Sequence, residues 1–179
     1  MRVVAICSLV LVAACGGSEP NASSSEHRYV NKAHGYSVDQ PAGWSQSTVR
    51  GVDWFAPSGE AKTEKNRKHT IVVRAAERRT ELKEGTPTSK EDVIAATSQV
   101  LKSMPHAKVG ASSALEGTPL PGVRFSLTFV PPGLSKTYRR EHIVLMGKKL
   151  FHVIYTAPVD EAVDETAFNS IVNTLREEG

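Results

Sequence analysis

Glu141, His142 and His152 are the side chains whose types and spacing come nearest to metal or acid–base chemistry. Consecutive residues of a β-strand point to opposite faces, so Glu141 and His142 cannot ligate one ion together. The two histidines flank a turn at 147–149. A two-residue turn would place them on opposite faces of the sheet, whereas a three-residue turn would place them on one face. Even on one face, two histidines without a third ligand make a poor zinc site, and we expect no bound metal.

Motifs that carry a reaction mechanism do not occur in the sequence. Ser45 follows Gly43 and Trp44 but lacks the second glycine of a Gly-x-Ser-x-Gly nucleophile elbow. Gly147 and Lys148 lack the glycine five residues earlier that a phosphate-binding loop requires. A His-Glu-x-x-His zinc motif is missing too. The sequence therefore predicts a protein that is not an enzyme and holds no cofactor.

The first fifteen residues resemble a secretion signal that ends at a cysteine. An apolar run at 3–14 follows Met1-Arg2, and it is shorter than the about 20 residues that span a bilayer. The run ends Leu11-Val12-Ala13-Ala14-Cys15, which resembles the lipobox of bacterial lipoproteins. That resemblance implies cleavage after residue 14 and a diacylglyceryl group on the sulfur of Cys15. Val12-x-Ala14 also suits ordinary signal peptidase, which would leave a free cysteine.

A lipid on Cys15 would anchor the protein in a bacterial cell envelope, outside the cytoplasm. Each buried acyl CH₂ contributes about 0.8 kcal/mol, and stable anchoring takes two chains or more. Gly16 follows the cysteine where an aspartate often retains lipoproteins in the inner membrane, so the pattern implies the outer membrane if the cell is Gram-negative. Residues 15–26 then form the lipidated cysteine and a flexible tether, with a reach of about 18 Å.

Length and charge predict a single domain at 27–179 with no nucleic-acid partner. The chain has 179 residues, with 22 Lys+Arg against 19 Asp+Glu and a net charge of +3. Nucleic-acid-binding domains are more basic, with clustered Arg and Lys. Cys7 lies in the signal and Cys15 is consumed by the lipid, so the predicted domain has no thiol for the oxidising envelope to modify.

Alternating and turn-bounded apolar runs predict a chain of short strands with two helices. The clearest strand is at 123–130, where Val, Phe and Leu alternate with small or polar residues. Ser89 caps a helix that Pro105 stops, and a last helix is expected from about 160 to 177. The remaining strands are predicted at 29–30, 35–38, 44–49, 52–56, 69–76, 107–116, 136–146 and 150–157.

Short turns between these strands predict an α+β fold with an antiparallel sheet. The strand at 150–157 begins apolar on both sides, so it is expected at the sheet centre with a helix on each face.

One polar sheet face is a candidate surface for a partner. On the strands around the turn at 117–122, alternation places large apolar residues on one face. The opposite face carries small or charged side chains, with Arg124 as the expected anchor for an anionic group. The predicted partner face consists of Lys108, Ser112, Arg124, Ser126 and Thr128. The mixed-charge stretch at 62–83 is a second, less favoured surface.

The two ends of the domain resemble the PsbP-like domain, which also occurs in DcrB-like bacterial lipoproteins. The resemblance is carried by Gly35-Tyr36-Ser37-Val38 with Pro41-x-Gly43-Trp44, then by Tyr155-Thr156-Ala157 and the apolar pattern at 168–175. It implies an α/β/α sandwich around an antiparallel sheet, and accessory or assembly roles without a shared catalytic set.

Three functions from different classes remain open. The sequence favours a membrane-anchored, non-catalytic accessory or interaction module that works with an envelope protein. The alternative is a carrier that binds a lipid or small molecule between the sheet and a helix. An envelope hydrolase ranks third, because the sequence shows no convergent acid–base set.

Overall fold

The computed structural model of this protein describes residues 27–60, 68–77, 89–104 and 106–178. The predicted signal at 1–14, Cys15 and the tether up to residue 26 lie outside these ranges, as does part of the stretch at 62–83. Within the described ranges, no helix has the length and apolar character needed to cross a membrane.

The described chain forms ten strands and two helices. They run in the order β1 (Arg28–Asn31), β2 (Tyr36–Asp39), β3 (Trp44–Val49), β4 (Val52–Pro57), β5 (Thr70–Glu77), α1 (Lys90–Lys102), β6 (Lys108–Leu115), β7 (Gly122–Phe129), β8 (Tyr138–Met146), β9 (Lys149–Pro158), α2 (Glu165–Thr174) and β10 (Arg176–Glu177).

Seven of these strands form one antiparallel sheet in the order β3-β4-β5-β9-β8-β7-β6. The predicted central strand, β9, is fourth of the seven. A second sheet of three strands has the order β1-β2-β10, so both ends of the described chain meet there. The α+β prediction with an antiparallel sheet is confirmed.

The two helices cover opposite faces of the large sheet, as predicted. Val153 and Tyr155 of β9 belong to the buried cluster that includes α2, and we call their side of the sheet the α2 face. Val144 of β8 and Phe125 of β7 belong to the cluster that includes Val93 and Leu101 of α1. We call that side the α1 face. The alternation in β7 is confirmed, because its four large apolar residues are all buried there.

The start of α1 follows its sequence signal. Ser89 Oγ accepts a hydrogen bond from the backbone N–H of Asp92, and the Asp92 carboxylate accepts one from the backbone N–H of Ser89. This reciprocal capping satisfies two backbone donors that a helix start leaves without partners.

The last helix is shorter at both ends than the predicted 160–177. Asp164 is its N-cap residue, because its Oδ1 accepts from the backbone N–H of Ala167 at 2.9 Å. At the other end Leu175 is extended and Arg176–Glu177 pair with β2. The Glu177 carboxylate then accepts from the backbone N–H groups of Lys148 and Lys149 at 3.0 and 2.9 Å. This second sheet explains why the helix stops early.

Gly147 leaves room for the Glu177 carboxylate in the same contact. A Cβ at this position would lie 2.5 Å from the carboxyl carbon of Glu177. A side chain here would displace the carboxylate that caps the β8–β9 turn.

A β-bulge in β6 corrects the predicted partner face. The register of β6 on β7 shifts between Val109 and Ser112, so the strict alternation assumed from the sequence fails there. Ser112 lies opposite Phe125 and therefore on the α1 face, whereas Ser113 lies opposite Arg124 on the α2 face. Strict alternation from Val109 would also put Leu115 on the α1 face, but Leu115 packs against the α2-face cluster. The prediction that Ser112 shares a face with Arg124 was wrong.

Candidate functional site

Arg124, the expected anchor of the partner face, is engaged by two carboxylates. Its Nε donates to Glu141 at 2.9 Å, and one terminal nitrogen lies 3.4 Å from Glu165 at the start of α2. The guanidinium also lies 5.9 Å from the ring centre of Phe168. Partial burial alone would lower the pKa of Arg124, but the two glutamates outweigh burial and raise it. Arg124 is therefore a structural ion-pair residue rather than an open anion anchor.

The rest of the predicted partner face divides into two parts. Ser126 donates to Glu141 at 3.1 Å, so it supports the ion pair. Thr128 and Lys108 are cross-strand neighbours on the α2 face. Lys108, Ser113 and Ser126 are exposed. The surface over β6 and β7 is thus polar and open beside the buried pair.

The α1 face carries a different polar arrangement, a stripe of four basic residues. Arg140 and His142 lie two residues apart on β8, and the adjacent strand β9 contributes His152. Arg74 of β5 is the direct cross-strand partner of His152. We call Arg140, His142, His152 and Arg74 the basic stripe.

The two histidines of the basic stripe are hydrogen-bonded to each other. The turn between Met146 and Leu150 has three residues, so the alternative that puts His142 and His152 on one face is the correct one. His142 Nε2 lies 2.9 Å from His152 Nδ1. Burial lowers the pKa of His142 to about 3, with help from His152 and Arg140. Burial and Arg74 lower the pKa of His152 to about 4.

Arg140 lies at one end of the stripe without a carboxylate. Its guanidinium stacks 4.6 Å from the ring centre of Phe129. Nε donates to Thr156 Oγ1 and another nitrogen approaches Met104 Sδ, both at 3.4 Å. Burial lowers the pKa of Arg140, and no described carboxylate lies within ion-pair distance of it.

The neutral histidine pair predicts a stability loss in mild acid. Both histidines stay uncharged when folded, but unfolded histidine binds a proton below about pH 6.5. The unfolded state therefore binds more protons as pH falls from 6.5 toward 4, and each histidine removes up to about 1.4 kcal/mol of stability per pH unit. We expect the unfolding free energy, measured with urea at pH 7 and 5.5, to fall less in a His142→Gln, His152→Gln double variant. Equal falls in both proteins would contradict the assigned neutral pair.

His69, just before β5, is a functional candidate that no sequence motif marks. Its Nδ1 lies 2.7 Å from the Tyr155 hydroxyl and its Nε2 lies 2.9 Å from Glu161. The Tyr155 oxygen also accepts from the backbone N–H of Asp164 at 3.0 Å. Tyr155 is fully buried and burial raises its pKa. The Tyr–His–Glu chain therefore fixes the segment before α2 and presents no nucleophile.

Asp53 is a second missed residue, with a carboxylate that is 0% exposed. Its Oδ1 and Oδ2 accept five side-chain hydrogen bonds, from Tyr29, Asn31, Tyr36, Gln46 and Thr48. Burial alone would raise the pKa of Asp53, but these donors outweigh burial and hold it below its usual value. The contacts join β1 and β2 to the β3–β4 hairpin. Asp53 and its five donor residues are spread over more than twenty positions of the sequence, so no local motif marks the network.

The polar clusters described above differ in whether their hydrogen-bonding groups are free to bind another molecule. The acidic groups at Asp53, Glu141 and Glu161 are satisfied by internal donors. In the described ranges, no group of three His, Cys, Asp or Glu side chains is placed to hold a metal ion. Among the described residues, both the basic stripe and the open surface over β6 and β7 have donors that are not fully used.

Comparison with known proteins identifies the fold but not the family. No protein-family model matches the sequence, and no curated protein does. The solution structure of cyanobacterial PsbP (CyanoP) from Synechocystis is similar, with 16% identity, a TM-score of 0.56, and coverage of 93% of this chain and 98% of that chain. The fold is PsbP-like.

Two further solved structures share the fold. LpqN, described as involved in cell envelope biogenesis of Mycobacterium tuberculosis, has 14% identity and a TM-score of 0.55, with coverage of 80% of this chain and 83% of its own. A protein from Bacteroides thetaiotaomicron has 14% identity and a TM-score of 0.57 over 86% of this chain. The match spans 48% of the Bacteroides chain, about half its length.

Proposed function

We propose that this chain is a bacterial envelope lipoprotein, anchored through Cys15, that acts as a non-catalytic interaction module for an envelope protein. The observation that carries the proposal is a sequence at 11–15 that resembles a lipobox, placed shortly before a domain with the PsbP-like fold. Support for the location comes from LpqN, which shares the fold and whose description places it in cell envelope biogenesis. Gly16 favours the outer membrane in a Gram-negative cell.

The state of the acidic groups supports a non-catalytic role. A general base must reach a substrate proton at hydrogen-bond distance. Glu141 is only 7% exposed and its two oxygens are taken by Arg124 and Ser126. Glu161 is bound by His69. These carboxylates act within the fold.

The open surface over β6 and β7 is the proposed contact with the partner. Lys108, Ser113 and Ser126 are exposed on the α2 face. Of the described strands, only β7 pairs with β6, so the other backbone edge of β6 has no partner strand among the described residues. An open edge is a template for an added strand, and a polar rim beside it suits a protein partner.

A paired substitution on this surface tests the proposed contact. Arg124 is unsuitable, because a glutamate there would add a third carboxylate beside Glu141 and Glu165. Lys108→Glu with Ser113→Trp changes only exposed side chains and is expected to remove at least nine-tenths of the crosslinks between the lipoprotein and its envelope partner. The melting temperature should stay unchanged.

Helix α1 offers a matched control for that experiment. Lys102→Glu with Gln99→Trp makes the same charge change and adds the same indole on exposed positions. Crosslinking should persist in this control. If the β6 variant folds and crosslinks like the wild type, the surface over β6 and β7 is not the contact.

The second candidate function, a carrier for a small molecule, is favoured by one observation. Arg140 is half-buried beneath the end of α1 and has no described carboxylate partner. A carrier site between the sheet and a helix was the alternative that the sequence left open.

A further inference from the structure

The basic stripe on the α1 face has positive charge and donors without matching acceptors. Arg28 and Arg124, which belong to other surfaces, each lie within 3.0 Å of a carboxylate oxygen. Neither Arg140 nor Arg74 lies within ion-pair distance of any described carboxylate. Arg74 is exposed and can be compensated by water, but Arg140 is half-buried. Half-buried arginines usually have a compensating anion, because removing the charge from water is costly.

The contacts of Arg140 do not supply that anion. Thr156 Oγ1 and Met104 Sδ are neutral acceptors at 3.4 Å, and the Phe129 ring offers only a cation–π contact. A guanidinium has five N–H donors in a planar fork that fits a carboxylate or a phosphate. Most of the hydrogen-bonding capacity of Arg140 is therefore unused.

The histidine pair adds another donor. One proton lies between His142 Nε2 and His152 Nδ1. If His152 held it, His142 Nδ1 would carry a buried N–H, and that atom has no described partner. Buried N–H groups without acceptors are rarer than buried acceptors without donors. We assign the proton to His142 Nε2, which leaves an N–H on Nε2 of the half-buried His152.

An apolar row crosses the sheet between the two ends of the basic stripe. Trp54 of β4, Val72 of β5 and Ile154 of β9 are successive cross-strand neighbours, and Ile154 in turn lies opposite His142. All three are partly exposed. Helix α1 packs on β6 and β7, so this row lies beside the helix. The apolar part of a ligand could pack on this row while its acidic group contacts the basic stripe.

We infer that the α1 face binds a small apolar molecule that carries one carboxylate or phosphate, with Arg140 as the anchor and His152 Nε2–H as a second donor. The basis is charge complementarity: Arg140, Arg74 and His152 Nε2–H offer donors, and these two groups are acceptors when ionised. This site rests on the carrier function proposed as the second candidate and names its ligand class, and it is independent of the proposed interaction module. It lies on the opposite face from the proposed partner contact and does not involve Cys15.

Calorimetric titration of the full mature chain in detergent micelles tests the inference. The probes are 4-phenylbutyrate, phenyl phosphate and the neutral 4-phenylbutanol. At least one acid should bind at one site per chain, and the alcohol should bind at least tenfold more weakly. Binding of only one acid would identify carboxylate or phosphate as the natural group. Absence of binding by both acids, or equal binding of the alcohol, would overturn the inference.

Substitutions locate the site. Arg140→Gln should weaken binding of the acid at least tenfold, because it removes the charge and most of the fork. Arg139→Gln is the matched control: it removes the same charge one residue away on the opposite face and should leave the affinity unchanged.

A second variant keeps the test decisive if Arg140→Gln unfolds. His152→Gln retains a polar side chain and should weaken binding several-fold at an unchanged melting temperature. Unaltered affinity in a folded Arg140→Gln or His152→Gln protein would refute the site. That result would leave the lipid anchor and the partner contact untouched, since both rest on other residues.

Discussion

Replacing Asp53 with alanine is expected to destabilise the folded domain by about 3–5 kcal/mol, because it leaves buried donors without an acceptor. The Asp53 side chain has no exposed surface, and its carboxylate accepts five hydrogen bonds from three other strands, β1, β2 and β3. The buried amide of Asn31 and hydroxyl of Tyr36 would lose their acceptor. The β1–β2 hairpin would also lose its polar link to β3 and β4.

Urea unfolding at pH 7 measures this effect. The pKa of Asp53 is lowered in the folded state, so its contribution is fully present above the unfolded value of about 3.9 and is lost as pH falls through the folded value. Neutral pH therefore shows the whole effect. Asp160→Ala removes an exposed carboxylate that pairs with Lys136, and it should leave the unfolding free energy essentially unchanged. An Asp53→Ala protein within 1 kcal/mol of the wild type, on the scale of one ordinary hydrogen bond, would show that the network contributes little.

Cys15→Ala is expected to move the protein from the membrane fraction to the soluble fraction. Without the thiol no acyl chain can be attached, and the single apolar run of the signal is too short to replace a lipid anchor. Immunoblots of fractionated cells measure the distribution. Cys7→Ala is the control, because residue 7 lies within the predicted signal and should not affect the mature protein. Membrane retention of the Cys15→Ala protein at the wild-type level would argue against the anchor.

Much of the architecture follows from local patterns that the sequence displays. The alternation in β7 and the two-sided apolar start of β9 each placed a strand correctly. Burial on one face produces alternating apolar residues, and burial on both faces produces a continuous apolar run, and both patterns are visible in the sequence. The capping signal at Ser89 was equally informative, since the residues that satisfy a helix start lie within one turn.

The structure departs from the sequence interpretation where contacts between residues far apart in the sequence determine the strand register or the end of a helix. The bulge in β6 places Ser112 on the α1 face, and no residue pattern at 108–115 predicts the bulge. Glu177 joins β10 and caps the β8–β9 turn across 29 and 28 positions of sequence, which ended α2 before the predicted residue 177.

The polar residues were harder to interpret than the apolar ones. Arg124 was the expected open anchor, but Glu141 and Glu165 occupy it. Arg140, which no motif marked, has no described carboxylate within ion-pair distance. The sequence shows which residues carry charge, whereas only the packed strands show which charges are already neutralised by a neighbour.

The central claim, that this domain is held in the envelope by a lipid on Cys15, is tested most directly by the intact mass of the mature protein extracted from membranes. The account predicts a chain that begins at Cys15 and is heavier than its amino-acid sequence by a diacylglyceryl group, with or without a further acyl chain. An unmodified Cys15 at the N-terminus, or a mature chain that still contains residues 1–14, would contradict it.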